Sequence, residues 1–140
     1  MKSIPVTVMD ENPIFLDIFS RFLRDECPNE VTLLGTTATY AEAEAQAQRL
    51  RPKVIIVDHG LPGQRGLYWI GRIRRLIPEV GIVVLTLLDK ADFRKSVLDA
   101  GADEFIRKDN VFQDLLPAIH WVITARSPQN TESTSVDGEP

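Results

Sequence analysis

The sequence predicts an α/β domain in which helices cover both faces of a parallel five-stranded sheet, strand order 2-1-3-4-5. Three observations predict it. Apolar runs such as VIIV at residues 54–57 and IVVLT at 82–86 are unbroken, as in strands buried on both faces. Stretches with helical spacing separate these runs, which makes each connection a crossover. Five such β/α units fill residues 4–125, and right-handed crossovers then favour the doubly wound, flavodoxin-like order.

Each element follows from local chemistry. Ile4, Val6 and Val8 form the first strand, which runs into Asp10. Asn12 and Pro13 read as an N-cap and a first helical residue, followed by Phe15, Ile18, Phe19, Phe22 and Leu23 at helical spacing. VTLLGTT is the second strand. Thr39 with Glu42 then makes a capping box for AEAEAQAQRL. VIIV is the third strand, and LYWIGRIRRLI a helix stopped by Pro78. After IVVLT, Asp89 or a neighbour caps ADFRKSVLDA, which Gly101 terminates. EFIRK is the fifth strand, and residues 110–125 form the last helix. Pro117 leaves two alternatives there: a helix that starts late, or one bent at the proline.

Composition narrows the function classes. The chain has 140 residues, enough for one core, and residues 1–126 are expected to form that domain. Residues 127–140 carry Val136 as their only aliphatic side chain and read as a disordered tail or linker. Formal net charge is -4 and pI about 5.2, so the chain alone is expected not to bind DNA. The basic run Arg72, Arg74, Arg75 reads as a solvated helix face. One cysteine, Cys27, excludes an internal disulfide framework. No signal peptide or long apolar run is evident, so a cytoplasmic protein with no membrane association is expected.

The chemistry gathers at one edge. In such sheets ligands bind beyond the carboxyl ends of the strands, at the switch point between strands 1 and 3. Strand 1 delivers Asp10 and Glu11, strand 3 Asp58, strand 4 Thr86 and strand 5 Lys108. Three carboxylates at one edge repel unless a cation sits among them. Their hard oxygens suit Mg²⁺, with Mn²⁺ as a substitute. Lysine and threonine add a positive charge and a hydroxyl, an apparatus suited to a phosphoryl group. Asp58 is then the nucleophile, and the backbone carbonyl of Gly60 a further metal ligand.

The chain resembles the receiver domain of bacterial two-component response regulators. The resemblance rests on DENPIF after strand 1, the D-x-x-L-P-x-x-x-G motif over residues 58–66, VVLT at strand 4 and AGADEFIRKD at strand 5. NPIF and LTLLDKADF look most like the subgroup that carries a LuxR-type helix-turn-helix output, which is not seen in these residues. The resemblance implies Asp58 as phospho-acceptor, Asp10 and Glu11 as the acidic pair for Mg²⁺, Thr86 and Phe105 as the switch pair, and Lys108 as the active lysine. It also implies a sensor histidine kinase or phosphotransfer protein as donor. Partner or homodimer contacts are expected through the last two helices and strand 5. Two residues depart from the pattern: Glu11 is longer than the usual aspartate, and Leu87 stands where a small residue is common.

Other readings compete. Alternation points His59 away from Asp58 and makes it a surface residue or mild modulator. His120 reads as structural or exposed, Cys27 as a buried thiol and Trp69 as packing, and Trp121 stands open between packing and an interface. A haloacid dehalogenase-type phosphatase needs D-x-D after strand 1, where DEN stands. A flavin or nucleotide module needs a phosphate loop that Asp10 and Glu11 would repel. A degenerate, receiver-like interaction module that works without phosphorylation is the serious rival. On the leading reading the chain is a signalling switch that catalyses only its own phosphorylation and dephosphorylation, and not a metabolic enzyme.

Overall fold

In the computed structural model, β1 (Ile4–Met9), β2 (Val31–Thr37), β3 (Val54–Asp58), β4 (Gly81–Thr86) and β5 (Glu104–Arg107) form one parallel sheet. Its order is β2-β1-β3-β4-β5, as the sequence predicts. The connecting helices are α1 (Pro13–Glu26), α2 (Tyr40–Leu50), α3 (Gln64–Leu76) and α4 (Ala91–Ala100), and α5 (Val111–Ala125) closes the chain's fold. The structure describes residues 3–59, 64–87 and 91–127. The tail assigned to residues 127–140 lies, but for Ser127, outside these, as does the cap assigned to Asp89.

Alternation along the strands splits the core into two layers. Val54 and Ile56 of β3 join Val6, Val8, Val83, Leu85 and Ile106 under α1 and α5. Ile55 and Val57 join Ile82, Val84 and Phe105 under α2, α3 and α4. Every residue of β3 and β4 is buried, because both faces are covered.

The helix starts are capped by their own sequence. Asn12 accepts from the Ile14 and Phe15 N–H groups at 2.9 and 3.2 Å, and Pro13 opens the helix. Thr39 accepts from Glu42 N–H, but the Glu42 carboxylate takes the Ala38 N–H, one residue before the cap. At the end of α4, Gly101 has φ 128°, and a β-carbon there would lie 2.9 Å from Arg74 Cβ.

Several expectations need correction. α3 begins at Gln64, three residues before the expected start, and ends at Leu76. β5 ends at Arg107, and Lys108 opens a 3-10 turn that leads into α5. Pro117 lies inside α5, which starts at Val111, so the late-start alternative is wrong. The arginine run is a solvated face only in part: Arg75 is exposed, while Arg72 and above all Arg74 are engaged. Arg74 donates to the Gly101, Pro78 and Val80 carbonyls and to Asp103, while Arg72 pairs with Glu44. Asp103 also receives Arg126 and the Ile82 N–H at 2.8 Å, so this one carboxylate ties α3, β4 and the end of α5 together.

Candidate active site

The same alternation that builds the two core layers assembles the site. Asp10 continues the face of Val6 and Val8, Asp58 that of Val54 and Ile56, and Lys108 that of Ile106. All three therefore emerge on the α1/α5 side of the sheet, at the carboxyl ends of β1, β3 and β5. Lys108 Nζ lies 2.7 Å from Asp10 Oδ2 and 3.0 Å from Asp58 Oδ1. It also stands 4.4 Å above the Phe15 ring, whose face favours a cation. Asp10 is held from below, since its Oδ1 accepts the Asn12 N–H at 2.8 Å.

Electrostatics follow from burial. Asp10 and Asp58 are only 1 % and 6 % exposed, so their charges are poorly solvated. Burial pushes the Asp10 carboxyl up, against the opposing hydrogen bonds from Lys108 and Asn12. Burial acts to lower the Lys108 ammonium, but its contacts with Asp10 and Asp58 prevail and hold it above its ordinary value. Among the described residues, Asp10 Oδ2 and Asp58 Oδ1 receive no hydrogen bond beyond the ammonium contact.

The structure gathers two acids here and not three. Glu11 is exposed, and among the described residues no group of three or more acidic, histidine or cysteine side chains is drawn together. Glu11 remains within electrostatic reach, because its charge together with those of Asp58 and Asp10 acts on the Tyr40 phenol. The buried pair, Asp10 and Asp58, sets two negative charges against the one positive charge of Lys108, and their hard oxygens fit a divalent cation such as Mg²⁺. Gly60, assigned a backbone ligand, lies outside the described residues.

The profile of the response regulator receiver domain matches residues 6–120. The chain belongs to this family. It is 31% identical over 136 residues to the probable transcriptional regulatory protein TcrX of Mycobacterium tuberculosis, covering 97% of this chain and 54% of that one. The oxygen regulatory protein NreC of Staphylococcus aureus is 29% identical over 118 residues, 84% of this chain and 54% of its own. The chain thus spans about half the length of these curated relatives. The signal receiver domain of the putative response regulator NarL from M. tuberculosis superposes with a TM-score of 0.75 at 22% identity, covering 86% and 95% of the two chains. A LuxR-family response regulator from Aurantimonas gives 0.78 at 22% identity, covering 97% and 98%.

In this receiver domain the remaining predicted residues divide by face. Thr86 continues the face of Val84 and lies fully buried on the α2–α4 side, with Phe105 on the neighbouring strand. Phe105 is 4% exposed and meets Phe93 edge to face at 5.6 Å, while the Arg94 guanidinium stands 5.5 Å from its ring centre. Leu87, beyond Thr86, is exposed. Trp121 is exposed, Trp69 stacks on Tyr40, Cys27 is buried and His120 exposed.

Two residues of the receiver's site were misread or missed. His59 does turn away from Asp58, but it is not on the surface. The face it turns to is covered by α3 and α4, and its ring sits 4.7 Å from Phe93 with 1% exposure. Tyr40 is a residue that sequence reasoning misses, yet its hydroxyl donates to the Asp58 carbonyl at 2.6 Å. The signal was its place as first residue of a helix that starts at the carboxyl edge of the sheet.

Proposed function

We propose that this receiver domain is a phosphorylation switch, with Asp58 as acceptor and a histidine kinase or phosphotransfer protein as donor. The observation that carries the reading is a buried strand-end carboxylate, Asp58, held 3.0 Å from a buried ammonium, Lys108. A carboxylate oxygen of Asp58 attacks phosphorus, the P–N bond of the donor phosphohistidine breaks, and an acyl phosphate forms while the imidazole leaves. Lys108 neutralises charge on the transferring oxygens, and its contact with Asp10 keeps it in place. Asp10, Glu11 and Asp58 would hold Mg²⁺, which when bound neutralises phosphoryl charge at the same edge. Thr86 supplies the switch hydroxyl and Phe105 the switch ring.

The outlet is the face of α4, β5 and α5. A groove of about 420 Å³ there is lined by Arg94, Phe105, Arg107, Pro117 and Trp121, among others. A partner or second copy of the chain docks on it, and residues 127–140 serve as tail or linker. Phe105 is already inside, which supports a second reading as an interaction module that works without phosphorylation. Intact-mass spectrometry with acetyl phosphate and Mg²⁺ separates the two. Wild type gains one phosphoryl group and Asp58→Asn gains none; an unlabelled wild type would leave only the second reading.

A further inference from the structure

Asp58 sits where its strand outruns one neighbour. β1 pairs with β3 only as far as Met9 and Val57, and Asp10 N–H has already turned to the Thr37 carbonyl of β2. On the other side β4 continues, and the His59 N–H donates to the Leu85 carbonyl at 2.7 Å. Within one planar peptide unit, N–H and C=O point in opposite directions. The Asp58 carbonyl therefore faces the β1 side, where the ladder has ended. A buried carbonyl left there would lack a partner.

The Tyr40 hydroxyl supplies it, and its ring is fixed from behind. It stacks on Trp69 at 6.3 Å with an interplanar angle of 8°. One turn further along each helix, Glu44 on α2 pairs with Arg72 on α3, whose guanidinium also lies 5.7 Å from the Trp69 ring. The two pairs hold α2 and α3 in one register, so the phenol is aimed before any ligand arrives. Burial, with the charges of Asp58, Glu11 and Asp10, pushes this phenol well above its ordinary pKa and keeps it a donor.

We infer that Tyr40 is a positioning residue for phosphoryl transfer: its hydroxyl fixes the main chain of Asp58 and thereby the aim of the nucleophilic carboxylate at Lys108. The Asp58 peptide is then held from both sides, by Leu85 and by Tyr40, and only its side chain is free to react. This inference rests on the phosphorylation reading above. A small loss of aim at a nucleophile costs rate, and leaves donor and metal affinity largely alone.

The test uses Tyr40→Phe, which keeps the ring and removes the hydroxyl. Labelling by acetyl phosphate is followed at saturating donor and Mg²⁺. We expect the rate constant to fall about five- to tenfold, with the apparent Mg²⁺ affinity little changed and the Asp58 carbonyl carbon resonance displaced. Wild-type rate in Tyr40→Phe, with wild type labelled on Asp58, overturns this inference and leaves the phosphorylation reading standing. A lowered melting temperature at wild-type rate also overturns it, because the bond would then serve stability only. An unlabelled wild type instead sinks the phosphorylation reading, and this inference with it.

Discussion

A β-carbon on Gly66 would lie 1.9 Å from Cδ2 and 2.0 Å from Nε2 of His59. Gly66, in the first turn of α3, is thus the clearance that lets the imidazole occupy the interior beside Phe93. His59 is 1% exposed and cannot swing outward without opening the α3–α4 layer. Alanine normally favours a helix over glycine by up to about 1 kcal/mol, but here the clash outweighs that gain. Gly66→Ala is expected to destabilise by roughly 1–3 kcal/mol, the usual cost of overpacking. His59→Ala should relieve it in a double-mutant cycle measured by urea denaturation. Gly71, on the same helix, is the control. A β-carbon there meets Arg75 and Ala100 only at 3.4 and 3.5 Å, so Gly71→Ala should be neutral or stabilising. Equal losses from both substitutions would contradict the steric account.

The buried phenol makes stability depend on alkaline pH. Tyr40 is raised above its ordinary 10.0 by burial first, then by the carboxylate charges. Below pH 10.0 both folded and unfolded chains keep the proton, and the contribution is fully present. Above that value the unfolded chain loses its proton while the folded chain retains it, so stability falls as pH rises further. Melting curves from neutral pH upward should therefore drop more steeply for wild type than for Tyr40→Phe. Parallel curves would show that the phenol is not held protonated.

The carboxylate of Asp103 is expected to matter for folding and not for the site. It lies at the opposite end of the sheet from Asp58, and it accepts from Arg74, Arg126 and the Ile82 N–H. Asp103→Ala removes the carboxylate partner of two partly buried guanidinium groups, which keep only main-chain carbonyls, and the acceptor of the Ile82 N–H, at a cost of about 3 kcal/mol. The denaturation midpoint should fall while phosphate labelling of the folded protein keeps its wild-type rate. A slowed reaction at full folding would mean that this cluster communicates with Asp58.

What was legible in the sequence was whatever depends on period and order. Unbroken apolar runs marked β3 and β4, and their alternation carries Asp10, Asp58 and Lys108 to one side of one edge. Caps at Asn12 and Thr39 were legible because their partners lie within a few residues. His59 was half legible: alternation gave its direction, but not the helices that cover that direction. Tyr40 and Asp103 could not be read, since their bonds span 18 and 21–29 residues and depend on where helices pack. Lys108 was read as strand and is a turn, because one residue of extended backbone at a sheet edge has no sequence signature distinct from a 3-10 start. Glu11 was expected beside Asp10, and adjacency in sequence sent it instead to the solvent face.

From Asp58 the expected path leads to the face of α4, β5 and α5. Phosphorylation adds about -1.5 to -2 charge and three acceptor oxygens at the end of β3. Thr86, on the other face of the sheet from Asp58, must shift toward those oxygens to reach one. Phe105 adjoins it on β5, already buried against Phe93, and Phe93 in turn touches His59, the residue after Asp58. The ring needs no large inward turn, so the modification shifts a packing equilibrium already set toward the inside. What then moves is the rim: Arg94 above Phe105, and the exposed Trp121 in the same groove. In NMR spectra of free and beryllofluoride-bound protein, resonances of Phe93, Phe105, Arg94 and Trp121 should shift along with those around Asp58. Phe105→Leu should preserve the shifts near Asp58 and shrink those at Trp121, since the smaller side chain loses contact with Arg94. Shifts confined to the surroundings of Asp58 in wild type would eliminate this route, and an undiminished Trp121 response in Phe105→Leu would assign it to another side chain.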